Sequence, residues 1–155
     1  MQIRPAVATD VPSMSAMLAQ LVAAGKRVSP ADEAFLLHTY IENAERIECS
    51  VALDDEGTLL GFQSLRLARA GNQYDTPVGW GIIGTHVSPL AARRGVGSGL
   101  FRVTKAAARN AGLQDIEAFI AASNAEGLAY YEKMEFRTHR RTESAICKRF
   151  RMADE

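Results

Sequence analysis

One segment constrains this chain more than any other. Arg93-Arg94-Gly95-Val96-Gly97-Ser98-Gly99 follows a strongly apolar stretch, residues 78–87, and opens a helix with apolar positions Val96, Leu100, Val103 and Ala107. Gly112 stops that helix, and residues 116–121 are a second apolar stretch. Strand, helix and strand in succession predict a right-handed crossover, so two strands of a mixed sheet must run parallel. The first backbone N–H groups of a helix lack acceptors within it, and the helix dipole favours an anion there. Arg93 and Arg94 add positive charge beside them. A glycine-rich turn with solvated arginines would read the same way. Two nucleotide motifs are excluded. The third glycine falls one residue early for GxGxxG, and GxxxxGK[ST] is absent.

The rest of the chain reads as one α+β unit spanning residues 1–155. Residues 3–6 form a short first strand, and Thr9 or Asp10 caps a helix with Val11, Met14, Leu18, Leu21 and Val22 on one face. Gly25 ends it. Ser29 and Pro30 open a second helix, with Asp32 and Glu33 in its first turn. Residues 48–53 and 59–67 form a hairpin across Asp54-Asp55-Glu56-Gly57. In the strand at 78–87, Gly79, Gly81 and Gly84 predict a bulge or a close approach by another group. Residues 123–134 form a last helix with a Ser123-x-x-Glu126 capping box. A hairpin of 136–141 and 145–151 closes the chain.

Composition narrows the function. Eighteen basic and eighteen acidic residues leave no net charge, against the basic excess of a general nucleic-acid binder. No apolar run approaches the ~20 residues of a spanning helix, and residues 1–10 lack a signal peptide's apolar core. Two cysteines, Cys49 and Cys147, make neither a disulfide scaffold nor a zinc site. The expectation is a cytoplasmic protein with no membrane or nucleic-acid partner and no metal.

Two segments then carry a resemblance. Val87-x-Pro89 followed by Arg93-Arg94-Gly95-Val96-Gly97-Ser98 resembles the acyl-CoA pyrophosphate loop of the GNAT family of N-acetyltransferases. Asn124-Ala125-Glu126-Gly127-Leu128-Ala129-Tyr130-Tyr131-Glu132-Lys133-x-x-Phe136 resembles that family's "NxxAxxxYEKxGF" segment. The element order matches as well, so the resemblance spans essentially the whole chain. Two departures from the pattern matter: Ala92 stands where Gln or Arg often opens the loop, and Glu135 stands where Gly precedes the last Phe.

The resemblance implies a GNAT-like fold: a central mixed, mostly antiparallel sheet of seven strands with four helices, splayed between its two parallel strands. It implies acetyl-CoA as co-substrate, with no metal, and direct transfer of the acetyl group to a primary amine of a small molecule or peptide. Carried over residue by residue, the backbone of Val87 pairs with the pantetheine amides. The segment Arg93, Arg94, Gly95, Val96, Gly97, Ser98 and Gly99 holds the pyrophosphate. Asn124 contacts the pantetheine region or braces the strand end; helix capping is its other reading. Tyr131 is the candidate acid that protonates the leaving thiolate, or else a core aromatic beside Tyr130. The general base is open. No carboxylate occurs in 78–88, which leaves His86, with a suitable intrinsic pKa, or a structural histidine there; Glu117 on the next strand is the second candidate, and an ordered water the third. Lys26, Arg27, His38, Tyr40 and residues 137–141 are available to an acceptor pocket. A non-catalytic acyl-CoA-binding sensor fits the same loop, and homodimerisation, common in the family, is undecided by the residues.

Overall fold

The computed structural model describes residues 1–28, 32–92 and 94–154. The strands are β1 (Gln2–Pro5), β2 (Arg46–Leu53), β3 (Leu59–Leu67), β4 (Gly81–Val87), β5 (Asp115–Ala121), β6 (Arg137–Arg141) and β7 (Ala145–Arg151). The helices are α1 (Val11–Ala23), α2 (Glu33–Leu36), α3 (Val96–Asn110) and α4 (Ala125–Lys133). All seven strands lie in one sheet in the order β1-β2-β3-β4-β5-β7-β6. Every neighbouring pair is antiparallel except β4 and β5, which run parallel across the α3 crossover. The expected architecture is therefore present. No helix among the described residues is long and apolar enough to cross a membrane.

Both faces of the sheet are covered, each by its own core. On one face α1 and α2 bury Met14, Leu18 and Leu36 against Val51 and Phe62. On the other, α3 and α4 bury Phe101, Tyr131 and Phe136 against Ile116 and Phe150. The buried stripe of α3 is Val96, Leu100, Phe101, Thr104 and Ala108, one residue round from the Val103 and Ala107 expected. α2 runs directly into a wider π turn, Leu37–Ile41, which carries Tyr40 towards the sheet.

Several local expectations shift. Residues 78–80 are not strand: Trp80 N–H donates to Pro77 C=O at 3.2 Å, and Gly79 takes φ +89°, so β4 begins only at Gly81. Gly81 marks a close approach, since a Cβ there would lie 2.8 Å from both Leu65 and Leu113. Asp10 does not cap α1; its carboxylate takes two hydrogen bonds from Arg4, both at 2.8 Å, and one from Val7 N–H. Ser29 and Pro30 lie outside the described residues, and α2 is capped by Asp32, which accepts from Phe35 N–H at 2.7 Å. At α4 the cap is Asn124 rather than Ser123, accepting from Gly127 N–H at 3.0 Å.

The helix stops share one geometry. After α1, Gly25 at φ +73° donates to Val22 C=O and Lys26 to Leu21 C=O. After α3, Gly112 at φ +74° and Leu113 repeat the pattern. After α4 the left-handed position is Glu135 at φ +73°, with Glu135 N–H on Glu132 C=O and Phe136 N–H on Tyr131 C=O. The turn survives the loss of glycine, and the side chain bears the steric cost. Glu135→Gly should therefore raise stability by about 1 kcal/mol, or about 2–4 °C in Tm for a chain of this size. A melting curve that does not move, or moves down, would remove this account of the turn.

Candidate active site

The parallel strands diverge. Only Gly81↔Ile116, Ile82↔Glu117 and Ile83↔Ala118 are paired, yet β4 continues to Val87 and β5 to Ala121. Each strand keeps its other neighbour along its length. β4 stays on β3 as far as Gly61↔Val87, and β5 stays on β7 as far as Ala121↔Ala145. The result is a wedge between the two strands. Ser88 N–H turns towards β3, donating to Leu60 C=O at 2.8 Å. By strand alternation the N–H and C=O of Thr85 and Val87 then face the wedge.

The glycine loop lies beyond the open end of β4. Arg93 is outside the described residues; Arg94 and Gly95 are exposed. Gly95 is the N-cap of α3 at φ +76°, with open space where a Cβ would stand, and no side chain caps the helix. The N–H groups of Val96, Gly97 and Ser98 are thus the first-turn donors left for an anion. Gly99 is not among them. Its N–H donates to Gly95 C=O at 3.0 Å, and its missing Cβ leaves room for Ile3 and Met1. Gly97 serves a further purpose, because a Cβ there would lie 2.5 Å from the Tyr130 ring.

Tyr131 lies on the α3 and α4 side, buried, its ring edge-on to Phe136 and Tyr130. Its phenolic oxygen is 2.8 Å from Thr85 Oγ1, on the diverged part of β4. Burial pushes the phenol well above its ordinary value, and the Thr85 hydrogen bond works against that rise. Tyr130 beside it donates to Gly97 C=O at 2.8 Å and accepts from Gln63 Nε2 at 3.0 Å. Its phenol is pushed up to about 12, chiefly by burial. Thr85, Gln63 and Tyr130 were not marked by sequence. Their meeting depends on the β3–β4 register and on how α4 packs, neither of which has a local signature.

The two candidate bases lie on the opposite face, so neither is brought to Tyr131. His86 stacks on Phe62, with ring centroids 4.7 Å apart, and its Nε2 is 3.4 Å from Tyr40 Oη. Burial, with the charge of Arg27, pushes its pKa down to about 3, which leaves a weak proton acceptor at neutral pH. Glu117 is fully buried and fully engaged. It accepts from Thr76 Oγ1 at 2.8 Å and from Arg140 at 3.0 and 2.6 Å, and shares a 2.5 Å contact with His139 Nε2. Burial alone would raise its pKa, but the hydrogen bonds outweigh burial and hold it below 4.5. The carboxylate clasps the 68–80 loop to the sheet, since Arg140 also donates to Tyr74 C=O at 2.8 Å. Asn124 is exposed at the start of α4, its Oδ1 spent on the cap. Among the described residues, no cluster of three or more His, Cys, Asp or Glu is placed to hold a metal.

The acetyltransferase (GNAT) family model matches residues 16–136. The chain belongs to the GNAT family. Solved GNAT structures share its fold. A phosphinothricin acetyltransferase from Sinorhizobium meliloti, in complex with acetyl-CoA, superposes with a TM-score of 0.77 at 19% identity, covering 97% of this chain and 87% of that one. A PaiA N-acetyltransferase from Thermoplasma acidophilum, in complex with coenzyme A, gives 0.74 at 14% identity over 97% and 98%. A ribosomal-protein-alanine N-acetyltransferase from Brucella melitensis gives 0.73 at 18% identity over 97% and 99%. No curated protein matches the sequence.

Glu117 gives this GNAT chain a testable acid response. A carboxylate whose folded pKa lies below its unfolded value stabilises fully above the unfolded value and loses that contribution as pH falls through the folded one. Stability should therefore drop as the pH is taken down from 4.5, and Glu117→Gln should be less stable at neutral pH with a flatter acid limb. Urea unfolding of both proteins across that range measures it; parallel limbs would assign the acid response to other groups.

Proposed function

We propose that this protein transfers an acetyl group from acetyl-CoA to a primary amine of a small molecule or peptide, by direct attack, with Tyr131 as general acid. The observation that carries the reading is the wedge after Ile83 and Ala118, with the Tyr131 hydroxyl on Thr85 along its open edge. The backbone of Val87 supplies donors and acceptors for the pantetheine amides there. The uncapped first turn of α3, with Arg94 beside it, suits a pyrophosphate. Arg93 and the Nδ2 of Asn124 complete the proposed contacts. A Cβ at Gly95 would meet nothing, so the loop leaves space for the phosphates.

The proton inventory supports this assignment. A phenol with pKa about 10 gives its proton to a thiolate with pKa about 8.5 at a cost of about 2 kcal/mol, small beside the barrier. Burial raises the phenol, and the same burial raises a leaving thiolate beside it. The acceptor must lose its own proton with little help, because His86 and Glu117 are weak bases here. At pH 7 an α-amine loses a proton for about 1.1 kcal/mol and a lysine amine for about 4.6 kcal/mol, which favours the α-amine. Its attacking nitrogen reaches the thioester from the α1 and α2 side, passing its proton to water.

Two positive charges act on that side of the sheet. Arg27 and Arg66 form no ion pair among the described residues, and their charges act on Tyr40, whose phenol burial otherwise raises. Arg66 lies over the Tyr74 ring at 5.6 Å. A carboxylate on the acceptor would complement them. Free amino acids should accordingly be acetylated with a lower KM than their amides, read as thiol release from acetyl-CoA; a preference for protein lysines would count against this acceptor class. Tyr131→Phe should keep acetyl-CoA affinity by calorimetry and lose about 10²–10⁴ in kcat. Undiminished turnover in that variant would refute the acid role, and binding without turnover in the native protein would favour a sensor.

A further inference from the structure

Five polar groups form one hydrogen-bonded chain inside the α3 and α4 face, and it ends on Tyr131. The Tyr130 hydroxyl meets Gly97 C=O at 2.8 Å. Gln63, fully buried on β3, reaches Tyr130 Oη at 3.0 Å and Thr85 Oγ1 at 2.9 Å through Nε2. Thr85 Oγ1 meets Tyr131 Oη at 2.8 Å.

Three of the four bonds in this chain have a direction fixed by their partners, and in the fourth either Thr85 Oγ1 or Tyr131 Oη can donate. A carbonyl only accepts, so the one Tyr130 proton goes to Gly97. The Tyr130 oxygen must then accept from the Gln63 amide nitrogen. Turning that amide over would set two oxygens against each other with no proton between them. The second Gln63 N–H goes to Thr85 Oγ1. Thr85 thus receives a proton from Gln63 and has one of its own to give; Tyr131 Oη is an acceptor within reach at 2.8 Å, while Tyr130 Oη, on which Thr85 also acts, already accepts from Gln63. The orientation leaves Gln63 Oε1 buried without a hydrogen-bond partner among the described residues. A buried orphan acceptor is unfavourable, and it is tolerated here while both amide protons are in use.

We infer that Thr85 is a positioning residue for Tyr131: its hydroxyl, oriented by Gln63, donates to the Tyr131 oxygen and leaves the phenolic proton free to point into the wedge. The inference rests on the proposed acid role of Tyr131. In the transfer step the C–S bond breaks and its electron pair stays on sulfur. The Tyr131 O–H bond breaks as the S–H bond forms, and that electron pair stays on the phenolic oxygen. The Thr85 O–H then holds a phenolate rather than a phenol, and hydrogen bonds to a charged oxygen are the stronger kind. The acylated nitrogen gives its proton to water and the phenolate takes one back from water, so no net acid is consumed. With the opposite polarity, Tyr131 would spend its proton on Thr85 and have none aligned for the thiolate.

Steady-state kinetics with acetyl-CoA, using glycine, L-phenylalanine, spermidine and glycylglycine as acceptor probes, test this. Thr85→Val keeps the shape and removes the hydroxyl. It should lower kcat about 10- to 100-fold with KM for acetyl-CoA unchanged, and Thr85→Ser should restore most of the loss. In a Tyr131→Phe background, Thr85→Val should cost nothing more, because the group it serves is gone. Should the valine variant fail to fold, Thr85→Ala takes its place in the same comparison. Native-like turnover in Thr85→Val beside an impaired Tyr131→Phe would overturn the positioning role and leave the acid role standing. So would fully additive losses, or a serine variant as slow as the valine. Native turnover in Tyr131→Phe, or no turnover of any probe by the native protein, would remove the acid role and this inference with it.

Discussion

β4 and β5 start as neighbours and part after three pairs, and everything at the site depends on how the sheet bears that parting. Backbone N–H and C=O groups facing the wedge must find partners, at a cost of about 1–3 kcal/mol for each one left buried and unpaired. The divergence is possible because neither strand relies on the other. β4 keeps all its β3 pairs and β5 all its β7 pairs. The sheet is two antiparallel halves joined at Gly81–Ile83, and α3 packs across both of them. Each edge keeps the position its own antiparallel partner gives it, and on the proposed reading its peptide groups meet a ligand that carries peptide-like amides.

The same parting divides the chemistry between two faces. Thr85 and Tyr131 look towards α3 and α4, while His86 and Tyr40 look towards α1 and α2. On the proposed reading, a thioester lying in the wedge would meet a proton donor from one side and an amine from the other. This separation keeps the phenol away from the histidine. It also removes a tyrosine–histidine proton relay from the available mechanisms, since β4 itself stands between the two side chains. Glu117 is on the second face as well, but at the closed end near Thr76 and His139, where it binds the loop to the sheet.

Local chemistry was legible in the sequence, and long-range partnership was not. The β2–β3 hairpin could be placed because Asp54 and Gly57 carry their own turn geometry: the Asp54 side chain accepts from Glu56 and Thr58 N–H, and Gly57 takes φ +81°. The stops at Gly25 and Gly112 followed for the same reason. The motif around Tyr131 and the loop at Gly95 carried the family. Which glycine does what was hidden, because Gly97 answers to a tyrosine thirty-three positions away and Gly99 to the first strand. Glu117 read as a candidate base on a strand; its partners come from the 68–80 loop and from β6, and only the folded sheet brings them together. Ser123 and Asn124 are equally good caps in isolation, and the backbone path out of β5 selects the second.

The contact between Gly97 and Tyr130 has an evolutionary corollary. The ring occupies the volume a side chain at position 97 would need, and the ring's hydroxyl is tied to the carbonyl of that same residue. Neither position can drift alone. A larger residue at 97 becomes accessible only after the tyrosine has given way to something smaller, and that first change strips Gln63 of a partner. Among related chains the two sites should therefore substitute as a pair, with the bulk of one falling as the bulk of the other rises.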